Sequence, residues 1–124
     1  MAKRPKELEL IERYRLASTF NHLQAFQVRR ELIELDAGSD HLDHLLEESV
    51  AITLHAMPAL TRELLILASQ LSEQDLLDPP NAERTAHSLE IRFADLRPEF
   101  EALLRRHDDI VAELSSLLHD ARRA

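Results

Sequence analysis

Seven histidines and no cysteine confine the candidate chemistry of this chain to imidazole, carboxylate and hydroxyl groups. Without cysteine there are no disulfides, thiolate nucleophiles or cysteine-based zinc sites. His41 and His44 stand three apart and are followed by Glu47 and Glu48. On a helix these groups can share a face and offer nitrogen and oxygen to a divalent metal. Against a metal site, His41 and His119 both fall at outward heptad positions, and no Glu-x-x-His pair occurs. Acidic residues at a helix start are expected for the helix dipole alone. His107 stands alone among leucines on an apolar stripe, where a buried polar group can fix helix register. Because imidazole titrates near neutrality and burial resists its charging, His107 is also the candidate pH sensor. Asp108-Asp109 and Glu47-Glu48 are sequence neighbours, so on a helix their carboxylates diverge. A single glycine excludes a glycine-rich phosphate loop, and no serine sits in a nucleophile elbow. The residues therefore predict no catalytic group, metal, cofactor or small-molecule substrate.

One histidine invites a specific comparison. The stretch Arg84-Thr85-Ala86-His87-Ser88-Leu89 resembles the start of the phosphoacceptor helix in histidine-phosphotransfer domains. The resemblance spans about six residues and implies a small all-α bundle that passes a phosphoryl group through His87. That family follows its histidine with Lys at +3 and Gly at +4. Here Glu90 and Ile91 stand there, a charge that repels phosphate and a side chain that obstructs a receiver domain.

The 124 residues suit one domain, 44% hydrophobic and 31% charged, with 24 leucines, no tryptophan, one tyrosine and four phenylalanines. A Leu- and Ala-rich core with few aromatics is the composition of helix-on-helix packing. Net charge is −8 and unevenly spread: +4 over residues 1–30, −10 over 31–80 and −2 over 81–124. An acidic chain without a basic stripe is not expected to bind nucleic acid. The charge segregation predicts that the first helix lies beside the second. The longest uncharged run, 49–61, is too short to span a bilayer. With no apolar leader after Lys3, Arg4 and Lys6, the expected setting is the cytoplasm. High Leu, Ala, Arg and Glu usage suggests a bacterial chain.

Only two strong breaks interrupt the helical pattern, Ala37-Gly38-Ser39 and Asp78-Pro79-Pro80-Asn81. They predict an all-α, antiparallel three-helix bundle occupying residues 1–124, with helices at about 5–36, 40–77 and 80–122. Gly38, the sole glycine, is expected at the left-handed position that ends the first helix. The last segment carries an unbroken heptad seam: Ala82, Ala86, Leu89, Phe93, Leu96, Phe100, Leu103, His107, Ile110, Leu114, Leu117 and Ala121. The middle segment has another in Leu46, Val50, Thr53, Met57, Leu60, Leu64, Leu67 and Leu71. Both seams are expected to keep phase across Pro58 and Pro98, giving kinked helices bent at one height, with a break at one or both prolines as the alternative.

The first segment has an expected core stripe of Leu10, Tyr14, Ala17, Asn21, Ala25, Val28, Leu32 and Leu35. Leu16, Phe20 and Leu23 form a second apolar patch on roughly the opposite face, and residues 64–68, including Leu65 and Ile66, are apolar all round. Either the first helix buries both stripes between its neighbours, or the patch docks another helix or a second copy. The expected function is non-catalytic protein–protein interaction with self-association, as a homodimer or with another helical protein. The alternatives are a phosphotransfer module using His87 and a metal- or pH-responsive bundle.

Overall fold

A computed structural model describes residues 6–77 and 79–123, with the side chains of 72–77, 79, 81 and 82 excepted. Residue 5, where the first helix is expected to start, and Asp78 lie outside the described residues, as does the side chain of Ala82. The described chain is helical almost throughout, in the order α1 (Lys6–Glu34), α2 (Asp40–Ala51), a π-helical turn (Ile52–Ala56), α3 (Met57–Leu77) and α4 (Pro79–Arg123).

Gly38 does not end α1. Asp36 takes the left-handed conformation, at φ 55°, and no glycine has positive φ. Two hydrogen bonds close the end around it: Ala37 N–H to Leu32 C=O at 2.8 Å and Asp36 N–H to Ile33 C=O at 3.0 Å. This is a Schellman closure with aspartate where glycine is usual, and Ala37 packs on the core cluster that holds Leu32. Aspartate tolerates the left-handed region better than most residues but still carries a Cβ there, and its charge lies at the negative end of the helix dipole. Asp36→Gly is therefore expected to stabilise the fold by about 1 kcal/mol in urea unfolding. A loss of stability would show that the Asp36 side chain has a partner of its own. At Gly38 a Cβ would meet nothing within 4 Å, so alanine is accommodated there.

The next helix starts as its residues dictate. Ser39 is extended, and its hydroxyl accepts from Leu42 N–H at 3.2 Å, satisfying one orphan donor. Asp40 and Asp43 add negative charge to the first turn.

The expected seam of the middle segment is buried or half-buried from Leu46 to Leu71, but the most deeply buried positions change phase at the π-turn. Leu42, Leu45, Leu46 and Ser49 are buried before the π-turn, Ile52 at its start, and Met57, Thr61, Leu64 and Ala68 after it. Between Ile52 and Met57 the inward positions are five apart, matching the Met57 N–H bond to Ile52 C=O. The wide turn absorbs one extra residue, so Ser49 and Ile52 are fully buried while the expected Val50 and Thr53 are half-buried. It also lies directly before Pro58, whose ring and missing N–H oppose a regular turn. Buried Thr61 satisfies its hydroxyl by donating to Pro58 C=O at 3.0 Å.

In α4 every expected seam residue from Ala86 to Ala121 is buried or half-buried, and Pro98 is exposed within an unbroken helical run. The seam of α1 is Ile11, Tyr14, Ser18, Asn21, Ala25, Val28 and Leu32, at alternating three and four spacing. Ala17 and Leu35, expected inside, are exposed, and Ile11 and Ser18 take the inward places.

Cross-helix pairs identify the neighbours of α4. Its partners in α2 and α3 fall in number as α4 advances: Glu63 with Arg92, Glu48 with Arg106 and His41 with Glu113. Its partners in α1 climb with it: Tyr14 stacks near Phe93 and Phe100, Asn21 meets Asp108, and Glu31 meets Arg122.

Candidate functional site

The inward polar residues of three helices converge on one place. Ser18 comes from α1, Ser49 from α2 and His107 from α4, all essentially without solvent exposure, and Thr53 of the π-turn closes the group. Ser49 Oγ lies 2.7 Å from His107 Nε2, and Ser18 Oγ lies 3.3 Å from Nδ1. Ser18 Oγ is also 2.9 Å from Thr53 Oγ1, and His22 Nδ1 is 2.9 Å from Ser49 Oγ.

One set of donor directions satisfies every contact in this chain at once. Thr53 Oγ1 donates its hydrogen to Ser18 C=O at 3.3 Å. In this set Ser18 Oγ–H donates to Thr53, and Ser18 Oγ accepts from His107 Nδ1–H. A neutral imidazole has one donor and one acceptor, so Nε2 accepts from Ser49 Oγ–H. Ser49 Oγ in turn accepts from His22 Nδ1–H. With these directions His107 is protonated on Nδ1 and the network runs one way across the core.

The neutral form of His107 is favoured by the site itself. Burial pushes its pKa down to about 4, the charge of nearby His22 acts the same way, and Asp108 partly opposes both. Burial also lowers His22. Around the cluster, Asn21 Nδ2 donates to Asp108 Oδ1 at 2.8 Å. Arg106 grips Glu48 with two bonds of 2.8 Å, and this pairing first of all holds the Glu48 carboxyl below its usual range.

A serine 2.7 Å from a histidine has the spacing of a nucleophile and its base. Here, however, both groups are sealed in the core, and Nδ1 meets a serine where an orienting carboxylate would stand. What the arrangement does chemically is couple three helices through one neutral imidazole. The lone His107 was legible from its heptad position. Its partners were not, because Ser18 and Ser49 stand where a search for apolar periodicity passes over them. Two consecutive polar seam positions, Ser18 and Asn21, were the available signal.

The other candidates fall apart or lie open. His41 Nε2 contacts Glu113 Oε1 at 2.7 Å in an exposed pair, and no group of three or more metal-ligating side chains forms among the described residues. His87 is exposed, with Glu90 and Ile91 exposed beside it. Leu16, Phe20 and Leu23 are 69%, 61% and 62% exposed, so α1 does not bury both of its stripes. Phe26 and Ile33 extend this apolar surface, and Leu65 and Ile66 are also exposed. The stretch Asp40–Leu71 is long and apolar enough to cross a membrane by length and composition, although its longest uncharged run is short. Only 22% of its most apolar window is buried. Phe26, Arg29, Leu46 and Val50 line a groove between α1 and α2, where Arg29 Nε is buried without a hydrogen-bond partner. The chain matches no protein-family model, no curated protein and no solved structure.

Proposed function

We propose that this chain is an antiparallel three-helix bundle, bent at Pro58 and Pro98, that acts without catalysis by binding protein, first of all a second copy of itself. The exposure of Leu16, Phe20 and Leu23 on one face of α1 carries this reading. Three large apolar side chains in a row lose a favourable transfer of roughly 1.5–3 kcal/mol each if left in water. Such a contiguous patch marks a contact surface more often than a free one. The falling partner numbers along α4 support the antiparallel order of the second and third long helices. The absence of cysteine suits a reducing cytoplasm, where we place the protein.

Light scattering on the eluting protein tests the reading. The wild type is expected to run above the 14.3 kDa of one chain at micromolar concentration. Leu16→Glu or Phe20→Glu is expected to return it to one chain with helicity unchanged. A wild type that stays single and floats with lipid vesicles would replace the protein partner with a membrane. A second reading, a pH-responsive bundle, is favoured by the burial of neutral His107 and is tested by the acid melt described below.

A further inference from the structure

With a hydrogen already on Nδ1, the His107 ring can take up a further proton only at Nε2. That ring and the Ser49 hydroxyl against it have no solvent exposure, so bulk water touches neither. Beyond Ser49 stands His22, 2.9 Å away and half-buried beside the Phe26 ring. Arg29 Nε is the one buried side-chain nitrogen or oxygen without a partner among the described residues. His22 Nε2, which has no protein partner, therefore faces solvent. The far end of the network offers no second entrance. There Thr53 donates to Ser18 C=O, a group with no hydrogen to hand on.

The geometry points to His22–Ser49–His107 as a proton relay that charges the buried imidazole from the surface without parting the helices. It rests on the pH-responsive reading above and supplies its route. A solvent proton binds His22 Nε2. The His22 Nδ1–H bond breaks as its proton passes to Ser49 Oγ, and the Ser49 O–H bond breaks as that proton passes to His107 Nε2. Three bonds to hydrogen form and two break, so one proton enters and one positive charge ends on His107. His22 is left neutral, with its hydrogen on Nε2 and Nδ1 accepting from Ser49. Ser49 then accepts from His107 Nε2–H, and Ser18 still accepts from Nδ1–H, so every contact stays paired. The two transfers span 2.9 and 2.7 Å, ordinary hydrogen-bond distances. The charged groups nearby do not serve as donors. Asp108, on α4 itself, accepts from Asn21, and Glu48 of α2 is held by Arg106. The π-turn contributes only the Thr53 hydroxyl. Because burial holds His107 down at about 4, the relay governs how fast the core charges, not how often.

NMR of the histidine rings tests the path, with the His107 signals identified by their loss in His107→Leu. At pH 7 the two ring-nitrogen shifts are expected to place the His107 hydrogen on Nδ1. At pH 5 roughly a tenth of the folded molecules carry the charge, and relaxation dispersion on the ring reads the rate at which it comes and goes. Ser49→Ala and His22→Phe are each expected to slow this exchange at least about tenfold, because the ring then waits for local opening of the core. His22→Phe leaves the Ser49 hydroxyl and the imidazole in place, so its effect reads the path and not the packing. Absent exchange in the wild type, unchanged exchange in both variants, or a His107 hydrogen found on Nε2 at pH 7 would each overturn the relay and leave the acid response of stability standing. A wild type whose melt ignores acid and whose His107 shows no charged form at pH 5 would remove the pH-responsive reading and the relay together.

Discussion

Acidifying the protein from pH 7 to pH 4 is expected to remove about 3 kcal/mol of folding stability through His107 alone. In the folded chain this imidazole titrates at about 4, against 6.5 when free. The unfolded chain therefore takes up the proton first. The stability that neutral burial provides is complete above about pH 6.5 and is lost as the pH falls towards 4. For a domain of this size the corresponding fall in melting temperature is about 10 °C, read by circular dichroism between pH 7 and 4.5. His22, also lowered by burial, adds a smaller effect of the same sign. Glu48, held down by Arg106, loses its contribution only as the pH falls below 4.5, so the two limbs are separable. His107→Leu is expected to flatten the limb between pH 6.5 and 4.5. At pH 7 it costs about 1–2 kcal/mol, because Ser18 keeps Thr53 while Ser49 loses its acceptor and must turn to the backbone. A wild-type melt unchanged over this range would refute the buried neutral imidazole and the pH-responsive reading with it.

Phe100→Ala is expected to cost about 3–5 kcal/mol in urea unfolding, enough to bring a marginally stable domain near its midpoint in buffer. Phe100 has no solvent exposure. It stacks on Tyr14 at 5.3 Å between ring centres, with an interplanar angle of 12°, and lies 6.2 Å from Phe93. These three rings hold α1 against α4 on the Pro98 side of the histidine cluster, and truncation opens a cavity that stiff neighbouring helices cannot collapse into. Phe20→Ala, on the exposed face, is expected to change single-chain stability by less than about 0.5 kcal/mol. Similar costs for the two phenylalanines would contradict the division of α1 into a core seam and an open stripe.

Much of this architecture is written in local chemistry. Long helices follow from a chain with one glycine and two clustered breaks. The α4 seam survives Pro98 because that proline falls on the face away from the core, where its missing N–H leaves a carbonyl that water can satisfy. Ser39 caps α2 because a hydroxyl there meets a free N–H whatever the rest of the chain does. These features depend on a few neighbouring residues, and a sequence lists neighbours directly.

Tertiary structure decided the rest. Gly38 is permitted to end α1, but Asp36 does so, because the chain must reverse early enough for Leu32 and Ala37 to pack on the core. Heptad counting gave Val50 and Thr53 the inward places. The π-turn before Pro58 adds one residue, leaving those two half-buried and Ser49 fully buried against His107. Ser18 looks like a surface residue until two other helices bring Ser49, Thr53 and an imidazole to it. Hydrophobic periodicity is a property of one helix at a time, so it identifies which face is buried when that face is apolar. A buried hydrogen-bond network is stabilised only by partners distant in sequence, and only the packing of three helices could show that His107 has them.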